Sequence, residues 1–64
     1  MRPERRAEWL TECLMAAVEN ALQKAKTGRW DDAISALERV EGMATRARLW
    51  AMAARREEIV RRGQ

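Results

Sequence analysis

Side chains that could carry out chemistry are scarce in this 64-residue sequence. It contains no histidine and one cysteine, Cys13, so it offers no imidazole base and no cysteine–histidine nucleophile pair. One cysteine without histidine also falls short of the four ligands that a structural zinc site needs. The only serine, Ser35, has no base near it in the sequence. These residues predict a protein without a metal ion or a cofactor.

Two pairs of adjacent acids are the remaining candidates for catalysis. Asp31 and Asp32 form one pair, and Glu57 and Glu58 form the other. Neighbouring residues of a helix project about 100° apart, so such carboxylates do not converge on one substrate atom. The glycines are scattered and form no phosphate-binding loop. We therefore predict that the protein is not an enzyme.

The elements that position these residues are two predicted helices joined by a turn at Gly28. Glycine suits the left-handed conformation that ends many helices, and the lysines before it favour a helix C-terminus. The two aspartates after it favour a helix N-terminus, and Pro3 is well placed in a first helical turn. The sequence predicts an all-α antiparallel hairpin with helices at about residues 4–27 and 31–62.

Apolar residues recur along both predicted helices in alternating steps of three and four. This spacing places them on one stripe of a helix, where they form a core or a contact with another helix. Gly42 lies inside the second stripe and costs about 1 kcal/mol relative to alanine. A break at Gly42 is one alternative; we favour a continuous helix, because the spacing passes Gly42 in phase. The predicted core or dimer residues are Leu10, Leu14, Ala17, Trp30, Leu37, Val40 and Ala47.

The length and composition predict one helical domain, residues 1–64, that associates with a second copy. A chain of this size hides only about 60% of the surface that it exposes when unfolded, so a monomer is marginally stable. A single cysteine allows no intrachain disulfide that would stabilise the monomer. Apolar residues make up 47% of the sequence. The C-terminal half carries apolar side chains on more faces than one helix covers. We therefore expect a homodimer that forms a four-helix bundle.

The turn carries a local sequence motif. Its residues are Gly28-Arg29-Trp30-Asp31-Asp32-Ala33-Ile34, with Leu37 and Val40 beyond. This segment resembles the turn and second helix of a tetratricopeptide repeat, a family that often has glycine, an aromatic residue, two acids and Ala-Ile in this order. The resemblance covers about residues 28–40 and implies a helical hairpin. The alternative is an ordinary turn between antiparallel helices, with Trp30 packed into it as a plug.

Arginine accounts for 11 of the 13 basic residues. Arg48, Arg55 and Arg62 recur every seven residues, so they lie along one helix face about 10.5 Å apart. One interpretation is a contact surface for phosphates or for an acidic protein face. The alternative is ion pairing inside the hairpin with a ladder of glutamates in the first helix, Glu4, Glu8 and Glu12.

The function that we predict is the binding of a partner protein. Tryptophan and methionine are common in protein interfaces, and arginine forms forked pairs with carboxylates. We predict a small regulatory or adaptor protein that blocks or recruits its partner through the second helix, with Trp50 and Met52 as apolar anchors. The residues predicted to bind the partner are Arg48, Trp50, Met52, Arg55, Arg56 and Arg62. The alternative is a small, basic, helical regulator that binds nucleic acid.

Targeting and membrane segments are not expected in this sequence. No uncharged run exceeds six residues, the length of Cys13–Val18, which is far below the length of a membrane span. Glutamates interrupt the apolar residues near the start, so no signal-peptide core is expected. We therefore expect a cytoplasmic protein, and its Arg- and Ala-rich composition is typical of bacterial or phage accessory proteins.

Overall fold

The computed structural model describes residues 2–63, which form two α-helices joined by a tight turn. Helix α1 spans Pro3–Lys26 and helix α2 spans Trp30–Arg62. Within the described residues there is no strand. The predicted all-α helical hairpin is confirmed, and α2 runs through Gly42 without a break.

Hydrogen bonds around Gly28 close the turn. Gly28 has a φ of 74°, in the left-handed region that other residues rarely adopt. Its N–H donates to the carbonyl of Ala25 at 3.1 Å, and the N–H of Arg29 donates to the carbonyl of Lys24 at 3.0 Å. The hydroxyl of Thr27 also donates to the Lys24 carbonyl, at 3.0 Å. These bonds satisfy carbonyls that a helix end leaves free, and they direct α2 back along α1.

The contact between the two helices is built from small side chains. The buried residues are Leu10, Ala21, Ala33, Ala36 and Ala47. Alanine allows two helix backbones to approach closely, but each alanine removes little apolar area from water. No large side chain in the described part of the chain is fully buried. The hairpin is therefore a thin rod of 54 × 15 × 14 Å with little core of its own.

Five of the predicted core or dimer residues lie in or beside this contact. On α1, Leu10 is buried, and Leu14 and Ala17 are half-buried. On α2, Val40 is half-buried and Ala47 is buried. The heptad spacing thus identified the side of α1 that faces α2.

The other two predicted core residues lie outside the contact within the hairpin. Trp30 is 64% exposed and Leu37 is 52% exposed. The residues of α2 that turn towards α1 are instead Ala36, Met43 and Trp50, at seven-residue steps. One line of the predicted stripe is therefore replaced by the line one residue before it, whereas the line through Val40 and Ala47 lies in the contact as predicted. Whether Trp30 and Leu37 belong to a dimer interface stays a prediction.

Trp30 does not plug the turn, so that prediction is wrong. Ala33, which is 2% exposed, makes the close contact of α2 with α1 near the turn. With an alanine at this contact, the helices approach too closely to leave room between them for an indole ring. Trp30 consequently lies on the surface at the start of α2.

Neither helix, over the described residues, contains a stretch that is long and apolar enough to cross a membrane.

Candidate functional site

Three of the four acids that were candidates for catalysis, Asp32, Glu57 and Glu58, are held in local ion pairs on the surface. These pairs are Arg29–Asp32 at 2.6 Å, Arg61–Glu57 at 3.1 Å and Arg62–Glu58 at 2.7 Å. All are substantially exposed, so each contributes little to stability. Cys13 is a free, half-buried thiol on α1. Among residues 2–63, no group of three or more potential metal ligands lies together.

The predicted pairing between the glutamates of α1 and the arginines of α2 is wrong. Every ion pair in residues 2–63 is local to α2 and the residue before it, and none joins the two helices. Glu4, Glu8 and Glu12 are exposed, as are Arg48 and Arg55. The physical reason is that leucine and alanine occupy the contact between the helices, so both sets of charges lie on outward faces.

Large apolar side chains are unusually exposed for so small a protein. Eleven of them are exposed within the described residues. Single exposed apolar residues are ordinary, but clusters mark contact surfaces. We call residues 13–44 the turn half of the hairpin, and residues 2–12 and 45–63 its open half. Each half carries one cluster.

The turn half carries an apolar face made by both helices. Four exposed apolar side chains each come one residue after an alanine of the contact between the helices. They are Val18 and Leu22 on α1 and Ile34 and Leu37 on α2. An antiparallel pair is related by an approximate two-fold axis normal to its plane, so these positions point to the same side of the hairpin. Together with Trp30 they form the turn-half apolar face, and all five are at least 45% exposed.

The open half carries a second cluster, on the side of α2 that points away from α1. Its apolar members, Leu49, Met52 and Ile59, are exposed and recur at helical spacing. Exposed arginines border them on both sides. We define the outer face of α2 as Arg48, Leu49, Met52, Arg55, Arg56 and Ile59. Four of the six predicted partner-binding residues therefore lie together.

The two remaining predicted partner-binding residues are placed differently. Trp50 lies two residues before Met52, so it projects about 200° away from Met52 and towards α1. The structure does not bring these two predicted anchors together. Arg62 lies beyond the outer face, near the end of α2, where it pairs with Glu58 at 2.7 Å.

Trp50 instead belongs to a cluster that the sequence analysis missed. The guanidinium of Arg6 lies 5.6 Å from the ring centre of Trp9 and 5.5 Å from that of Trp50. These distances are within range for cation–π attraction on both rings. Arg6 Nε has no exposed surface and no hydrogen-bond partner within the described chain. The three-residue spacing of Arg6 and Trp9 on α1 was the only signal that the sequence offered.

A groove runs between the helices in the open half, on the same side as the turn-half apolar face. It measures about 480 Å³, and Ala7, Ala51 and Ala54 form its apolar part. Its other lining residues are charged: Glu4, Arg55, Glu57, Glu58 and Arg61. Ala51 lies 14 residues after Leu37, which is two heptads further along the same line of α2. Along this line of α2, the apolar side chains are therefore bulky near the turn and small in the open half.

Charge also differs between the halves. The open half has nine arginines and five glutamates, for a net charge of +4. The turn half has four basic and five acidic side chains, for a net charge of −1. The modest net charge of the whole chain, +3, therefore hides a strongly basic end.

Comparison with known proteins gives no match: no family model matches the chain, and no curated protein or solved structure matches it significantly. The resemblance to a tetratricopeptide repeat is confined to the residues around the turn. Helix α2 alone spans 33 residues, whereas a whole repeat of that family has about 34 residues. The surfaces of the hairpin are therefore what indicates its function.

Proposed function

We propose that this protein is a small, non-enzymatic regulatory or adaptor protein that works as a homodimer and binds a partner protein. The binding surface is the outer face of α2, and binding blocks or recruits the partner. One observation carries the proposal: an exposed apolar strip of Leu49, Met52 and Ile59 is bordered by arginines that make no ion pair within residues 2–63.

The chemistry of the outer face defines the kind of surface that it fits. Leu49 and Met52 are three residues apart and Ile59 follows seven residues later, and apolar anchors at such helical spacing suit a hydrophobic groove in a partner. Arg55 and Arg56 flank Met52 from opposite sides. Arginine pairs with carboxylates in a forked geometry, so the matching groove has an apolar floor and acidic rims. Such rims speed association and exclude basic competitors.

A nucleic-acid-binding role is the second candidate, because the open half concentrates nine arginines. Arg48, Arg55 and Arg62 follow one line of α2 at steps of about 10.5 Å, which suits repeated phosphate contacts. The exposed apolar anchors between and beside them favour the protein partner. Salt separates the two roles, since six phosphate contacts lose about 10³-fold in affinity between 50 and 200 mM salt.

The test is affinity purification of the full chain from its native cells. The binding variant is Met52→Asp with Arg56→Glu, and the control is Ser35→Asp with Arg39→Glu, which makes a similar charge change on exposed residues of the turn half. We expect wild type and control to recover one defined protein at 200 mM salt, and the binding variant to lose it while its circular dichroism stays helical.

Equal recovery by the binding variant would show that the outer face is not the binding surface. Recovery of nucleic acid instead of protein, with a steep loss between 50 and 200 mM salt, would replace the proposal with the second candidate.

A further inference from the structure

The proposed partner site leaves the other side of the hairpin uncovered and meets it at an edge that carries Arg48 and Arg55. The chain exposes 5316 Å², whereas an average folded monomer of its 7.4 kDa exposes about 4,200 Å². Two copies would have to hide about 3,700 Å² between them to reach the average for a protein of twice the mass. Obligate homodimers bury about 2,000–5,000 Å². The excess surface therefore has the size of an obligate dimer interface.

We propose that a second copy of this chain covers the side formed by the turn-half apolar face and the open-half groove. The two hairpins run in opposite directions, with α1 on α1, α2 on α2, and the two-fold axis level with Ala44. Every neighbouring pair of helices is then antiparallel, as in a four-helix bundle. This inference deepens the homodimer of the proposed function, and its test needs no partner protein.

Side-chain size along α2 supports this arrangement. Trp30, Leu37, Ala44 and Ala51 follow one another every seven residues, so they form one line on the uncovered side. The bulky members lie near the turn and the small ones lie in the open half. A reversed copy with its axis at Ala44 lays Leu37 over Ala51 of the second copy and the bulky face over the alanine-lined groove. Large side chains then fill small sites.

Charge along the neighbouring line of α2 selects the register. Ile34, Glu41, Arg48 and Arg55 also follow at seven-residue steps. With the axis at Ala44, Glu41 lies beside Arg48 of the second copy, and symmetry repeats the pair. Moving the axis by half a heptad in either direction, which slides the copies past each other by a whole heptad, places Glu41 on Glu41 or Arg48 on Arg48 instead. Like charges at such short range disfavour both shifted registers.

The direction of the second copy follows from the same charges. Two hairpins aligned turn to turn on this side would lay α1 of each copy over α2 of the other, so Glu41 would not lie beside Arg48 of the second copy. They would also place the two open halves, each of net charge +4, side by side. The reversed direction sets each open half against a turn half of net charge −1. Electrostatics therefore favours the antiparallel dimer.

Helix α1 fits the same axis. Arg6 meets Trp50 across the hairpin, so Leu14, eight residues later on α1, is level with Gly42, within a turn of Ala44. Leu14 is half-buried and exposes the rest of its side chain on the uncovered side. In the proposed dimer Leu14 therefore packs against Leu14 of the second copy, close to the two-fold axis.

The first test is the mass in solution of full-length wild type and two matched variants, measured by sedimentation equilibrium. Leu37→Asp places a charge in the proposed interface. Ile59→Asp places the same charge on the outer face of α2, where Ile59 is 63% exposed against 52% for Leu37. We expect a wild-type dimer, a dimer Kd raised at least about 100-fold by Leu37→Asp, and a Kd within about twofold of wild type for Ile59→Asp. A helical wild-type monomer, or no effect of Leu37→Asp, would overturn the inference.

The second test is a charge swap that leaves the hairpin contact untouched. Glu41→Arg and Arg48→Glu should each raise the dimer Kd about tenfold, and the double variant should return it to within about threefold of wild type. Positions 41 and 48 are about 10.5 Å apart on one chain, so this rescue arises between chains. Single variants without effect, or a double variant without rescue, would reject the antiparallel register.

These tests also separate the inference from the proposed function. A dimer that behaves as expected, but whose outer-face variants recover the same partner as wild type, refutes only the proposed binding surface. Partner binding that disappears with Met52→Asp and Arg56→Glu while the wild type sediments as a monomer refutes the dimer and supports the proposed binding surface.

Discussion

The turn half and the open half of this hairpin hold their helices together by different means. In the turn half a left-handed glycine and a set of backbone hydrogen bonds join the helices, and Ala21 and Ala33 lie 3% and 2% exposed between them. In the open half no turn joins the helices, and Arg6 sits between two tryptophans, one from each helix. The end that lacks a covalent connection is the end that uses large aromatic side chains.

The two halves also differ in the kind of side chain that each leaves exposed. The turn half exposes bulky apolar side chains on one side, and the open half has a net charge of +4 and a groove whose apolar part is formed by alanines. Neither half hides its own surplus within the hairpin. Each supplies what the other lacks, since bulky residues need small ones opposite and a basic end needs a less basic one. The proposed reversed second copy would satisfy both requirements at once.

The largest expected effect comes from a charge placed in the helix contact of the open half. Ala47 is buried at 8% exposure, so Ala47→Glu should cost at least about 3 kcal/mol by burying an unpaired carboxylate. We expect strong loss of helicity by circular dichroism and a collapse of the urea midpoint. Ala16→Glu, the same exchange on an exposed face of α1, is the control and should leave both nearly unchanged. An unaffected Ala47→Glu variant would show that the open half does not depend on this contact.

An intermediate effect is expected from the cluster of Arg6 with Trp9 and Trp50, which joins the two helices in the open half. Arg6→Gln removes the cation from both indole rings and should cost about 1–2 kcal/mol of unfolding free energy. Arg5→Gln removes the same charge from an exposed neighbour and should cost less than about 0.5 kcal/mol. Urea titration followed by tryptophan fluorescence measures both. Equal losses of unfolding free energy in the two variants would mean that net charge, and not the stacking of Arg6 on the indole rings, stabilises the open half.

The smallest effects come from two glycine-to-alanine substitutions with opposite signs. Gly28 has a φ of 74°, so Gly28→Ala should destabilise the turn by about 1–2 kcal/mol. Gly42 lies within α2, with nothing within 4 Å of the place that a Cβ would take, so Gly42→Ala should stabilise the helix by about 1 kcal/mol. Thermal unfolding measures both. A destabilising Gly42→Ala would mean that something lies against this glycine in solution.

Much of the fold was predictable, because it depends on local chemistry. A glycine that adopts the left-handed region, lysines before it and aspartates after it act within a few residues, so the turn and all helix boundaries came within one residue of those observed. Part of the candidate site was predictable for the same reason. Met52, Arg55 and Arg56 share a face because helical spacing alone puts them there.

Other features depended on which side chains meet across the hairpin. Sequence spacing offered no reason to join Arg6 with Trp50, which are 44 positions apart, or to separate Trp50 from Met52. The pairing of the glutamates of α1 with the arginines of α2 failed similarly. It assumed that both sets face inward, and only the packing of the two helices determines which residues do.

The sequence by itself determined two amphipathic helices, the turn between them and the residues that share each stripe, because periodicity and turn chemistry act along the chain. Only the tertiary structure decided the rotation of α2 about its own axis. The apolar stripe of α2 is wide enough to face α1 through either Leu37 or Ala36. The small side chain allows the closer approach of the two backbones, so Ala36 is buried and Leu37 is left on the surface.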